Sequence, residues 1–201
     1  MKNQSEYVTI ATFYKYDRCP LWETQEGTEK MHEMGKGMVH LIYGPGKGKS
    51  ASALGLGVMG ALAEKKVIMV QFLKGVLEEN GAEILKRLEP EMKVFRFERS
   101  HGLFEDLTEQ HKQEEIFNLK NGFNFARKVM TTGGCDILIL DEVLGLVDMG
   151  VISKEDFIHF LEMKDSEMEL VMTGTVCPKE IEKYVDRISY VDNVKADSSK
   201  E

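Results

Sequence analysis

Apolar and polar positions along this chain fall into blocks whose period keeps changing. MVHLIY (38–43), KVIMVQFL (66–73), DILIL (136–140), ELVMT (169–173) and RISYV (187–191) are short apolar runs of strand length, and KVFRF (93–97) alternates as a strand with one wet face. Between them the period lengthens. Residues 50–63 put Ala51, Leu54, Val58 and Ala61 on one helical face, and 79–88 form a short helix stopped by Pro90. Residues 109–131 form the longest helix, with Ile116, Leu119, Phe123, Ala126 and Met130 at helical spacing. A helix over 153–163 opens with Ser153 as N-cap, and one over 178–185 carries Pro178 in its first turn. Strand and helix alternate over about 150 residues, and several strands are apolar on both sides. That pattern predicts an α/β fold whose mostly parallel sheet is covered on both faces. Ligands of such sheets bind beyond the carboxyl ends of the strands.

The flanks differ from this core. Residues 1–37 are polar and aperiodic, broken by Pro20, and read as an N-terminal arm with one strand over 7–16; 194–201 read as a loose tail. Residues 38–193 make the single domain that 201 residues allow. Eight of the 18 glycines lie between Gly35 and Gly60, which points to a backbone with a local task.

Charge narrows the partners. With 26 Lys and Arg against 34 Asp and Glu the net charge is −8, which argues against nucleic acid and anionic membranes as ligands. No apolar run approaches the roughly 18 residues of a membrane span. Three widely spaced cysteines (Cys19, Cys135, Cys177) form no disulfide framework and no zinc pattern. A reduced, cytoplasmic protein is the expectation.

Candidate chemistry starts in the first core loop, Gly44-Pro45-Gly46-Lys47-Gly48-Lys49-Ser50, between a strand and a helix. Its glycines let backbone N–H groups face one centre, and the helix start adds its positive end. Lys49 supplies charge to phosphate oxygens, and Ser50 offers a hydroxyl to Mg²⁺. Apart from Tyr43 in place of the leading Gly, this is a Walker A loop. About 90 residues on, Ile137-Leu138-Ile139-Leu140 ends in Asp141-Glu142, a Walker B strand whose carboxylates suit Mg²⁺. The pair predicts an Mg-nucleotide-binding domain, a P-loop NTPase-like three-layer sandwich. It does not select a reaction.

Five segments together resemble the ATP:corrinoid (cob(I)alamin) adenosyltransferases. GPGKGKS (44–50) matches that family's Gly-(Asn/Asp)-Gly-Lys-Gly-Lys-Thr-Thr loop, including the unusual Lys47. SALGLG (52–57), VIMVQFLKG (67–75), LDEV (140–143) and TGTVCP (173–178) follow in the family's order and spacing over roughly 38–191. The resemblance implies transfer of the 5′-deoxyadenosyl group of ATP to the Co(I) of a reduced corrinoid, with triphosphate leaving. It implies Gly44, Gly46, Lys47, Gly48, Lys49, Ser50, Ala51, Gln71, Lys74 and Thr175 around ATP. Lys49 and Glu142 then carry catalysis, Ser50 and Glu142 hold Mg²⁺ with Asp141 behind them, and Leu103 and Phe104 meet the corrinoid. A reduced flavin or flavoprotein as electron source and a homodimer are further family expectations.

Several positions depart from the family pattern. Its second loop threonine is Ala51, the arginine of TGRGCP is Thr175, the glycine after it is Val176, and the aromatics of its GFTW stretch become Leu103 and Glu105. A nucleotide-binding or nucleotide-hydrolysing homologue, a switch or a corrinoid carrier, therefore stays open as an alternative. Other residues have plainer readings. His101 reads as a loop histidine, His40 as a packed or edge residue, and Cys177 as a small buried residue. Glu78-Glu79 and Glu114-Glu115 read as solvated helix-end charges, and Gly55, Gly57 and Gly60 suggest close helix–sheet packing.

Overall fold

The computed structural model describes residues 37–73, 79–97 and 107–193, which fall in one unit, Lys36–Glu201. The expected strand over 7–16 and the tail lie outside the described residues.

The elements run β1 (Val39–Tyr43), α1 (Lys49–Leu62), β2 (Val67–Gln71), α2 (Glu79–Lys86), β3 (Met92–Arg96), α3 (Glu109–Thr132), β4 (Ile137–Asp141), α4 (Val143–Asp148), α5 (Lys154–Glu162), β5 (Glu169–Gly174), α6 (Lys179–Glu182) and β6 (Arg187–Tyr190). Local chemistry sets several ends. The Ser153 hydroxyl accepts the Asp156 N–H at 3.0 Å at the start of α5, and α3 stops at Gly133, whose φ of 63° is left-handed. Two elements differ from expectation. The helix predicted over 178–185 spans only Lys179–Glu182. Helix α4 follows β4 and is apolar up to its last residue, the exposed Asp148: Val143, Leu144, Leu146 and Val147 are all buried, so it shows little of the amphipathic periodicity that reveals a helix in sequence.

Among the described residues the sheet has six strands in the order β3-β2-β4-β5-β1-β6, and every pair is parallel. Side chains alternate between its two faces. Ile42, Val67, Met69, Met92, Ile137, Ile139 and Val171 pack with Ala53 beneath α1. Leu41, Val70, Leu138, Leu140, Leu170 and Met172 pack on the other face with Leu119 and Phe123 of α3, Leu144 of α4, and Phe157 and Phe160 of α5. Both faces are dry, which is why the central strands read as unbroken apolar runs; each fully buried side chain of this kind contributes roughly 1.5–3 kcal/mol. Glu115 corrects an expectation. It is 3% exposed, because it lies on the stripe of α3 that continues through Leu119, Gly122, Phe123 and Ala126 into the core.

Candidate functional site

The loop after β1 is built by close approaches. Gly48, the residue before α1, has φ 110°, a conformation that favours glycine. Gly46 donates its N–H to Val191 O at 2.9 Å, and a Cβ there would stand 2.7 Å from the Asp192 backbone. The strand end of β6 therefore seats the loop. The Lys47 N–H donates to Asn193 Oδ1 at 3.2 Å, and the Lys47 residue is exposed. Lys49 turns back over the loop, its ammonium donating to Gly44 O at 2.7 Å and Gly46 O at 2.9 Å. Helix geometry leaves the N–H groups of Lys49, Ser50 and Ala51 with no intrahelical acceptor. No side chain caps this end and no acid lies in its first turn. A positive helix end, a lysine and free N–H groups meet at one point, which is what a polyphosphate requires.

The second half of the site lies at the carboxyl ends of β2, β4 and β5. Gln71 stands opposite Asp141 in register, and alternation places both on the α1 face with Met69 and Ile139. Asp141 is fully buried. Its Oδ2 accepts the Gln71 amide at 3.0 Å and its Oδ1 accepts the Thr173 hydroxyl at 2.7 Å. The same hydroxyl accepts the Glu142 N–H at 2.7 Å. Glu142 has φ 63° and ψ 26°, a left-handed backbone rare outside glycine. Its Oε1 accepts the Thr175 hydroxyl at 3.3 Å. Burial, reinforced by the Glu142 charge, pushes the Asp148 carboxyl above its ordinary value. Gln71 Oε1 is buried with no partner among the described residues.

Each predicted residue thus has a place or lies outside. Gly44, Gly46, Lys47, Gly48, Lys49, Ser50 and Ala51 form the loop and first helical turn; Gln71, Asp141, Glu142 and Thr175 gather at the neighbouring strand ends. Lys74, Leu103, Phe104, Glu105 and His101 lie outside the described residues. Cys177 is half-buried rather than buried, and burial raises its thiol pKa. His40 sits in an interior strand with Nε2 2.9 Å from Ser189 Oγ. Sequence reading missed Thr173 as a site residue, and its only sequence signal was a polar residue closing an apolar strand. A cavity of about 1040 Å³ opens elsewhere, lined by Leu62, Lys66, Arg87 and Pro90 among others, and holds none of the predicted residues.

Among the described residues no group of three or more His, Cys, Asp and Glu could hold a metal ion by itself. Ser50 and Glu142 offer hard oxygen donors without nitrogen or sulfur, and Mg²⁺ is commonly bound by one or two such groups plus phosphates and water. The donor set fits that ion.

The profile of the ATP:corrinoid adenosyltransferases BtuR/CobO/CobP matches residues 35–201. The chain belongs to this family. Among its relatives are the corrinoid adenosyltransferase of Escherichia coli K12, 24% identical over 80% of this chain and 79% of that protein, and corrinoid adenosyltransferase CobA of Salmonella typhimurium, 25% identical over the same shares. An uncharacterized protein of Nostoc is 28% identical over 72% of this chain, and the match spans 41% of that protein's length. The α/β fold with its all-parallel sheet is consistent with the P-loop NTPase-like fold of this adenosyltransferase family. No helix among the described residues is long and apolar enough to cross a membrane.

Proposed function

We propose that this family member transfers the 5′-deoxyadenosyl group of Mg-ATP to the Co(I) centre of a reduced corrinoid. Cobalt supplies the electron pair for the new Co–C5′ bond, and the C5′–O bond breaks with its pair leaving on triphosphate. The observation that carries this reading is Lys49 and the uncapped start of α1 in a chain that also carries Asp141-Glu142 at the end of β4. The leaving group gathers negative charge as it departs, so fixed N–H groups and cations stabilise it where that charge develops.

Lys49 leaves its two loop carbonyls for phosphate oxygens, and Lys47 adds a second cation. Ser50 and Glu142 hold Mg²⁺, which when bound offsets phosphate charge. Gln71 and Lys74 border the nucleotide, and Leu103 and Phe104 border the corrinoid. A reduced flavin or flavoprotein supplies electrons, and 1–37 is an arm outside the catalytic domain. No general base is needed.

The test is an anaerobic incubation of the protein with ATP, Mg²⁺ and chemically reduced cobalamin. The expected products are adenosylcobalamin and triphosphate in equal amounts; ATP turnover to ADP and phosphate without a cobalt–carbon product refutes the proposal. One observation favours a second function, nucleotide binding or hydrolysis without transfer. Where the family pattern has an arginine stands Thr175, whose hydroxyl is engaged with Glu142. Restoration of transfer by Thr175→Arg in an inactive parent would support that second function.

A further inference from the structure

A left-handed backbone at a non-glycine residue is strained and persists where neighbours over-determine it. Glu142 is such a residue, and the neighbours that hold it come from β5. The Thr173 hydroxyl performs two tasks at once. An N–H can only donate, so this oxygen must accept from Glu142, and its own proton is thereby directed to Asp141 Oδ1. Asp141 is in turn fixed from the other side by Gln71. Two residues on, the Thr175 hydroxyl reaches the Glu142 carboxylate itself. Between them, Gly174 lets the strand pass within 2.4 Å, measured from a hypothetical Cβ, of Leu144 Cβ, which brings β5 against the first turn of α4.

We propose that Thr173 and Thr175 form a clip that positions Glu142 for the metal of a metal–nucleotide complex. Thr173 sets the backbone, Thr175 steadies the carboxylate, and Asp141 is the buried anchor of the clip. The inference rests on the reading that Glu142 meets Mg²⁺, but it needs no corrinoid chemistry. Loss of a partner that orients a metal ligand typically costs about 10–100-fold in metal affinity.

The experiment measures ATP binding calorimetrically with Mg²⁺ and with EDTA, so it reads binding and not turnover. Thr173→Val keeps the volume and loses both bonds. It should weaken Mg-ATP about 10-fold or more while changing metal-free ATP less than about twofold. Thr173→Ser keeps the hydroxyl and should recover most of the loss. Thr175→Val, at an exposed position, should weaken Mg-ATP about threefold, in line with one ordinary hydrogen bond near the low end of its range. Equal weakening with and without metal, or none, overturns the clip. A parent that binds ATP no better with Mg²⁺ also overturns it. If Thr173→Val does not fold, Thr175→Val decides: a loss confined to the metal-bound nucleotide supports the clip and an unchanged affinity overturns it. A parent that binds Mg-ATP but makes no adenosylcorrinoid leaves the clip standing and refutes only the transfer reaction.

Discussion

Three glycines in α1 give a prediction of opposite signs within one helix. Gly55 is exposed, and a Cβ there meets nothing within 4 Å. At Gly57 it would stand 2.8 Å from Met92 Cε and 2.9 Å from Ile139 Cδ1; at Gly60, 2.4 Å from Ile137 Cδ1 and 3.4 Å from Val67 Cγ2. Alanine in a helix interior gains about 1 kcal/mol over glycine, whereas overpacking a dry interface costs about 1–3 kcal/mol. Gly55→Ala collects the gain alone, and for a domain of this size about 1 kcal/mol raises Tm by roughly 2–4 °C. At Gly57 the flexible Met92 thioether yields, and gain and cost nearly cancel. At Gly60 the obstacle is the Cδ1 of buried Ile137, which stands closer than any atom near Gly57, so the net loss is about 1–2 kcal/mol, or roughly 2–8 °C. Thermal unfolding followed by circular dichroism, in one buffer for all three variants, reads the series. If Gly60→Ala stabilises as much as Gly55→Ala, α1 does not lie this close to β2 and β4, and the placement of the loop at its head falls with it.

The remaining predictions concern single groups. Lys49→Ala should weaken ATP binding at least about tenfold, as expected for losing a charge-assisted contact to phosphate; unchanged affinity would remove the loop from the nucleotide site, whichever reaction follows. Burial, with the Arg187 charge second, holds the His40 pKa below its ordinary 6.5. The native state therefore binds this proton less tightly than the unfolded chain. The stability involved is present above pH 6.5 and is lost as pH falls through the lowered value. Urea midpoints from pH 8 to 5 should fall less steeply in His40→Gln, and parallel curves would refute the assignment. Cys135 is buried, its thiol pushed up to about 12 by burial and by Asp136, so a thiol reagent at pH 8 should modify half-buried Cys177 well before it; the reverse order by mass spectrometry would contradict the packing at Cys135.

What could be read from sequence was whatever one element carries within itself. The phosphate loop is legible because strand, glycines, lysine and helix start are consecutive, and the apolar run Ile137–Leu140 is legible because both of its neighbours in space are dry. The Ser153 cap spans four residues and was read correctly. What was hidden depends on pairing between distant segments. That β5 lies between β1 and β4 follows from no local signal, and without it Thr173 is only the polar end of ELVMT. Once the order is known, Thr173 falls beside Asp141, 32 residues away, and beside the N–H of Glu142. Glu115 failed for the same reason: a carboxylate beside Glu114 looks solvated until the stripe through Leu119 and Phe123 shows which side of α3 meets the sheet.

The same pairing bears on the choice between transfer and hydrolysis, because the two reactions ask different things of Glu142. Hydrolysis asks a carboxylate to orient a water and accept its proton, which needs an open lone pair facing the nucleotide and freedom to meet the water. Adenosyl transfer asks only for a fixed anionic oxygen beside the metal, since the nucleophile carries no proton to remove. At Glu142 the backbone is pinned by Thr173, and one lone pair of Oε1 is engaged by the Thr175 hydroxyl. A backbone fixed by Thr173 and a carboxylate met by Thr175 serve metal coordination in either reaction. Thr175 takes away the cation that the family pattern sets beside the leaving triphosphate and engages one oxygen of Glu142 instead, so Thr175→Arg tests both effects at once: a gain of transfer marks the missing cation, and a loss of Mg-ATP affinity marks the missing hydroxyl.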